Sequence, residues 1–154
     1  MYRISTLTSS FFGAGYSPIA PGTIGALFAV IIIYGLMSFV DNMIWIIPIL
    51  SILTYLLGVW SISNLPAEWK HDDSKIVIDE AHGIFISLAF VPISGLTLFI
   101  GFVLFRFFDI LKPLGIRKLD MLNNHHSVML DDTLAGIYSN IVLQLLILWE
   151  VLQF

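Results

Sequence analysis

Two uncharged apolar runs stand back to back near the start of the chain, Ile24 to Val40 and Met43 to Ser63, parted only by Asp41-Asn42. Each approaches the roughly 20 residues that cross a bilayer as a helix. A polar pair that short can only be a tight connection, so the runs predict a transmembrane hairpin. Pro48 is tolerable within it, because neighbouring helices can satisfy the carbonyl that a proline frees. Composition agrees: of 154 residues 58% are apolar and 12% charged, with mean hydropathy +0.93, against about 45–50% and about 25% in soluble domains. The chain therefore reads as an all-α, polytopic membrane protein, one domain over residues 1–154. The segment before Ile24 is not basic and no small-residue cleavage pattern follows a short apolar core, so an uncleaved chain is expected.

Several chemistries are excluded at once. A net charge of -4, from 7 Lys plus Arg against 11 Asp plus Glu, gives no basic field for a nucleic acid partner. With no cysteine there is no disulfide, no thiolate zinc site and no cysteine nucleophile. Catalysis would have to use carboxylates, His, Ser, Thr or a metal.

From Asn64 to Lys75 the sequence turns polar and predicts an aqueous loop. Gly83 to Phe105 could then cross once, but Pro92-Ile-Ser-Gly95 interrupts it with turn formers. A single crossing puts Arg106, Lys112, Arg117 and Lys118 on the opposite side from Lys70 and Lys75, against the positive-inside rule. A turn back at Pro92 puts both basic loops, and Arg3, on one side. The expected hairpin descends from Asp79 for roughly 13 residues (about 20 Å) and returns for roughly 18 (about 27 Å) to Leu111. A last run, Thr133 to Leu152, is long enough to cross once. The expectation is about three full spans plus a Pro-interrupted helical hairpin, with a polar site at the cytoplasmic helix ends.

That arrangement gathers acids. Asp79 and Glu80 open the descending helix, Asp109 lies near the end of the returning one, and Asp131 and Asp132 open the final span. Carboxylates beside an apolar region are costly unless a cation or basic partners meet them. An all-oxygen set suits Mg²⁺, which binds through a few carboxylates plus substrate phosphate. Arg106, Asp109 and Lys112 follow at i, i+3 and i+6, and Pro113 ends their helix. Asp109 would hold metal while Arg106 grips phosphate oxygens with its planar fork; alternatively Arg106 and Asp109 are simply an intrahelical ion pair. The acids at helix starts have their own simpler explanation in the helix dipole. Two adjacent acids at both starts plus a third carboxylate in Arg106-x-x-Asp109 are better explained by a site.

Gly13 to Gly25, rich in Gly and Pro, is a shaped loop entering the first span. Backbone amides at such an entry, Gly22 among them, can bind an anion, with Thr23 as an extra donor; a plain helix-start turn explains it equally. His71, His82, His125 and His126 lie near acids, but Mg²⁺ prefers oxygen. Phe12, Trp45, Trp60, Trp69 and Trp149 sit near presumed span ends and read as an interfacial belt.

Four ordered segments together resemble the phosphatidylglycerophosphatase A family of bacterial membrane lipid phosphatases: Gly13-x-Gly15-x-x-Pro18-Ile-Ala-Pro21-Gly22-Thr23-x-Gly25, Ile76-Val77-Ile78-Asp79-Glu80-x-x-Gly83, Phe105-Arg106-Phe-Phe-Asp109-Ile-x-Lys112-Pro113, and Met129-Leu130-Asp131-Asp132-x-x-Ala135-Gly136. The resemblance covers nearly the whole chain. It implies Mg²⁺-dependent hydrolysis of phosphatidylglycerophosphate to phosphatidylglycerol and inorganic phosphate, in phospholipid biosynthesis. It also implies a site facing the cytoplasm from the bacterial inner membrane. Carried over by motif, Asp79, Glu80, Asp109, Asp131 and Asp132 are the acidic catalytic and metal-binding set, with Arg106 and Lys112 the phosphate-binding cations. The chain departs from the family where Lys112-Pro113-Leu114-Gly115-Ile116 replaces a Lys-Pro-x-Pro-Ile segment, and where Asn123-Asn-His-His-Ser127 replaces a glycine-rich stretch. Both changes are expected in loops and leave the charged set intact.

No Arg-His-Gly, Asp-x-Asp or Ser-Gly-His phosphatase signature offers a covalent nucleophile, so direct attack by water is expected, with one acid as base. The alternative from another class is a noncatalytic divalent-cation or lipid-binding membrane subunit using the same carboxylates. Acids at helix ends beside Arg and Lys favour the phosphate monoester. A CDP-alcohol phosphotransferase lacks its long Asp-Gly-x-x-Ala-Arg signature here, and head-group specificity is not readable from motifs that bind phosphate.

Overall fold

The computed structural model describes residues 2–40, 42–66, 68–69, 73–113, 115–116 and 125–149. Among them are six α-helices and no strand: α1 Tyr2–Ser9, α2 Pro21–Leu36, α3 Ile46–Ser63, α4 Ile78–Ser87, α5 Gly95–Leu111 and α6 His125–Leu148, with a 3-10 turn at Ala14–Tyr16. The all-α expectation holds.

The shortest of the inner helices occupies the centre. α4 carries Asp79, Glu80, His82 and Ser87 among its apolar residues, yet it is covered on nearly every face. α2, α3, α5 and α6 surround it, and all its residues except Glu80 and Ile86 are buried. The outer helices invert the pattern of a water-soluble bundle. On α3, Ser51, Thr54, Gly58 and Ser61 face inward, whereas Ile49, Ile52, Leu53, Leu56 and Leu57 are exposed. Ile47 and Ile62 are buried beside them, and small and polar residues at a helix contact, with large apolar ones outside, are also what membrane helix interfaces show.

The expectation of three full spans is met by one helix among the described residues. α3, at 18 residues with mean hydropathy 1.9, is long and apolar enough to cross a membrane. α2 has 16 residues, about 24 Å. It starts earlier than Ile24 because Pro21 takes the first helical position, where no N–H is needed. It stops at Leu36 because the chain tightens after Gly35: the Ser38 and Phe39 amides donate to the carbonyls of Gly35 and Leu36. The connection to α3 is accordingly longer than the Asp41-Asn42 pair. Pro48 falls in the first turn of α3, where a proline is tolerated. α6 has 24 residues but carries Asp131, Asp132, Ser139, Asn140 and Gln144 along its length.

The turn at Pro92 is present, and α4 and α5 form a hairpin. α4 is shorter than expected, 10 residues in place of roughly 13. Its carbonyls are taken up early by α6: Asn140 Nδ2 donates to Ser87 O at 3.0 Å and to Ala89 O at 2.8 Å. Phe90 then adopts a left-handed conformation at φ 58. Ser94 and Thr97 restart the chain with a capping box, each side chain bonding the other's backbone N–H. α5 then runs back to Leu111, as expected.

Candidate functional site

Asp79 and Glu80 occupy the first turn of α4, where the helix dipole favours acids. Asp131 and Asp132 do not open their helix. α6 begins at His125, so they lie in its second turn, beyond the reach of that explanation. His126 and Ser127 are helical too, not part of a loop. What brings Asp132 to Asp79 is the closeness of α4 and α6. A Cβ on Gly136 would lie 2.7 Å from the Gly83 carbonyl, and one on Gly83 would stand 3.1 Å from the Asp132 carbonyl and inside the Phe105 ring. Only glycine permits that approach, and the acids one turn away converge with it.

The result is a cluster of Asp79, Glu80 and Asp132, whose ligand-type oxygens all lie within 4.8 Å of one another. Asp79 and Asp132 are buried, at 8% and 4% exposure. None of the three forms an ion pair with Lys or Arg among the described residues. Asp79 Oδ1 and Glu80 Oε2 are buried without a hydrogen-bond partner. Burial, followed by the charges of Glu80 and Asp132, pushes the Asp79 carboxyl well above the ordinary carboxylate range. Glu80 is pushed up to about 7, again by burial first. Two orphaned buried oxygens in an all-carboxylate set are what a hard divalent cation such as Mg²⁺ would satisfy, so the residues fit that group.

The other two acids face cations. Arg106 Nη1 donates to Asp109 Oδ2, the pair predicted at i, i+3. Asp109 still acts electrostatically on both Glu80 and Asp132, so this pair borders the cluster. Lys112 Nζ donates to Asp131 Oδ2 at 2.8 Å. That contact depends on the backbone: Lys112 sits in the left-handed region at φ 46, just past α5, and so turns out of the helix line toward α6. A non-glycine residue there costs on the order of 1–2 kcal/mol. The five expected acids are thus divided, three to a cation-type cluster and two to the ion pairs around it.

The glycine-rich entry to α2 reaches the same place. A Cβ on Gly22 would overlap the Glu80 carboxylate and lie 3.5 Å from Arg106 Nη1. The anion at this helix start is therefore the protein's own Glu80. Thr23, half-buried, lies in the same first turn. Upstream, Ala20 at φ 46 and Gly13 at φ 96 shape the loop.

His82 is no member of the acid cluster. It is buried, with Nδ1 donating to Ser51 O at 3.0 Å and Nε2 within 3.0 Å of Thr133 Oγ1. It ties α3 and α4 to the residue after Asp132. His126 is exposed, 3.3 Å from the Tyr55 hydroxyl, while His71 and the His125 side chain lie outside the described residues. Asn140 belongs to none of the sequence motifs, although an amide in the middle of an apolar run signals a buried polar contact.

The family model described as Phosphatidylglycerophosphatase A matches residues 7–147. A Haemophilus influenzae protein named Phosphatidylglycerophosphatase A is 41% identical over 90% of this chain and 85% of its own. The Escherichia coli protein of the same name is 36% identical over 83% of this chain and 74% of its own. A Bacteroides thetaiotaomicron protein named "Putative phosphatidylinositol-3-phosphatase" is 40% identical over 91% of both chains. No solved structure matches.

Proposed function

The chain belongs to the phosphatidylglycerophosphatase A family, and on that premise we propose that it is a lipid phosphatase removing the terminal phosphate of phosphatidylglycerophosphate. The products are phosphatidylglycerol and inorganic phosphate, a step of phospholipid biosynthesis. The observation that carries the reading is one piece of geometry. A cluster of three carboxylates, the buried Asp79 and Asp132 with the half-buried Glu80, is bordered by two cations already steered by acids, Arg106 by Asp109 and Lys112 by Asp131. A phosphate monoester needs both halves of that arrangement.

Asp79, Glu80 and Asp132 would hold Mg²⁺, which when bound supplies charge neutralisation at the phosphoryl group and a more acidic water. Arg106 presents its fork to phosphate oxygens, and its Nε, buried without a partner, is available as a further donor. Lys112 adds a second positive charge from the α5–α6 side. Thr23 is placed to donate a hydroxyl from the first turn of α2. Water attacks phosphorus, its proton passing to one of the cluster carboxylates, and the P–O bond to the glycerol breaks. The leaving alkoxide takes up a proton as phosphate departs. Asp109 and Asp131 orient the two cations and keep their charge within the site.

The protein is read as a multi-pass protein of the bacterial cytoplasmic membrane. The apolar outer faces of α2, α3 and α5 support that, and the positive-inside rule puts the charged end on the cytoplasmic side.

The test is phosphate release by the purified protein in detergent, from phosphatidylglycerophosphate, phosphatidic acid, phosphatidylinositol 3-phosphate and glycerol phosphate. Release from the first alone is expected. Preferential release from the inositol lipid would replace the head group while keeping the chemistry. Release from none, by folded protein supplied with Mg²⁺, would overturn the reading in favour of a cation- or lipid-binding subunit.

A further inference from the structure

An apolar groove of about 300 Å³ runs between α2 and α5, walled by Leu27, Ile31 and Tyr34 on one side and Leu98, Phe99 and Phe102 on the other. Most of these side chains are open to the surroundings; Ile31 is 54% and Phe99 65% exposed. Both walls lead to the site. On α2 the stripe Tyr34, Ile31, Leu27 continues at helical spacing to Thr23. On α5 the stripe Phe99, Phe102 continues at i+4 to Arg106. The two walls meet where Gly22 approaches Arg106 Nη1. From Gly22 to Tyr34 is twelve residues, about 18 Å of helix. One leaflet of hydrocarbon is about 15 Å, half of the roughly 30 Å core.

From this we propose that the α2–α5 groove is the seat of one acyl chain of the lipid substrate, lying along Phe102, Leu27 and Ile31 with its glycerol end at Arg106 and Thr23. The proposal rests on the lipid phosphatase reading above and says where the rest of that substrate lies. Charge supports the direction. The groove is apolar along its length, and one helical turn beyond its Leu27–Phe102 end stand Thr23 and Arg106, the latter with a buried Nε without a hydrogen-bond partner, the polarity order of a phospholipid from chain end to phosphate. The outer face of α3 is equally apolar, but none of its exposed side chains belongs to a stripe ending at a cation.

The experiment uses the intact protein in phosphatidylcholine vesicles with phosphatidylglycerophosphate bearing a diazirine at one chain end. Cross-links are mapped by mass spectrometry. Labelling concentrated on Tyr34 and Phe99, both exposed, is expected; labelling spread equally over the α3 face would mean only surrounding lipid and would overturn the proposal. In parallel, the ratio of kcat/KM for long-chain over six-carbon-chain substrate is compared between Ile31→Trp and Leu56→Trp. Filling the groove at Ile31 should lower that ratio about tenfold, the loss from excluding roughly two chain methylenes. Leu56→Trp, on α3 and 60% exposed, should not lower it; equal behaviour of the two variants counts against the groove. Absence of phosphate release from either substrate by the wild type would instead defeat the phosphatase reading, and the cross-link map would still decide the groove.

Discussion

The carboxylate of Glu80 occupies the space in which a side chain on Gly22 would begin. This contact joins the start of α2 to the start of α4, two segments far apart in sequence, and it sets where Glu80 can lie relative to Asp79. Gly22→Ala forces the Glu80 side chain to move. The displaced group is the far end of a flexible chain, and Gly22 lies in the first turn of α2, where alanine is also accepted. Stability should therefore change little while turnover falls about 10²-fold, near the low end for losing a positioned acid or base. Thermal melting beside phosphate release checks both halves.

The Lys112–Asp131 pair separates strain from function in a similar way. Lys112 holds a left-handed backbone at φ 46, which glycine adopts freely. Lys112→Gly relieves that strain of about 1–2 kcal/mol but leaves the buried Asp131 carboxylate without this ammonium, at a cost of about 1–3 kcal/mol, so the melting temperature should change little or fall, while kcat/KM drops about 10- to 100-fold through loss of a charge-assisted contact to phosphate. A variant as active as the wild type would show that the ammonium serves only the ion pair.

Arg106→Lys keeps the charge and loses the fork. An ammonium can meet Asp109 or the phosphate but cannot address both from one plane. The expected outcome is a drop of about 10- to 100-fold in kcat/KM, the worth of one charged hydrogen bond. Steady-state kinetics on the lipid substrate, with folding checked by gel filtration, measures it.

Much of this site is legible in the amino-acid sequence alone. The acids of Asp79-Glu80 and Asp131-Asp132, the pairing of Arg106 with Asp109 and the turn at Pro92 are local patterns, and local patterns survive folding. The division of the five acids is not legible there. It depends on the left-handed turn at Lys112, which swings an ammonium to Asp131, and on the Gly83–Gly136 approach, which draws Asp132 to Asp79. Neither is set by spacing along one helix. The span count is met only in part among the described residues, for a related reason. Apolar runs report which residues avoid water but not where a helix ends, and the ends of α2 and α4 are fixed by a turn after Gly35 and by Asn140.

Asn140 closes α4 by donating to two carbonyls at its end. Asn140→Leu removes these two hydrogen bonds and the one its Oδ1 accepts from Gln144 Nε2, and leaves Ser87 O and Ala89 O without this donor, at a cost of about 1–3 kcal/mol. The residue is distant from the acids, so activity of the fraction still folded should be retained at low temperature. A lowered melting temperature with near-normal initial rates is the expected pair of observations.

On the proposed function, Asp79, Glu80 and Asp132 act as one cation-holding catalytic cluster. Asp132→Asn removes a negative charge from a buried group of like charges, so the variant should fold at least as stably as the wild type. The measurement is phosphate release from phosphatidylglycerophosphate by both proteins, in Mg²⁺ and in chelator. The wild type should lose activity on chelation, and Asp132→Asn should be slower by about 10²- to 10⁴-fold in Mg²⁺. Release by Asp132→Asn within a few-fold of the wild type, or full wild-type activity in chelator, would contradict that role.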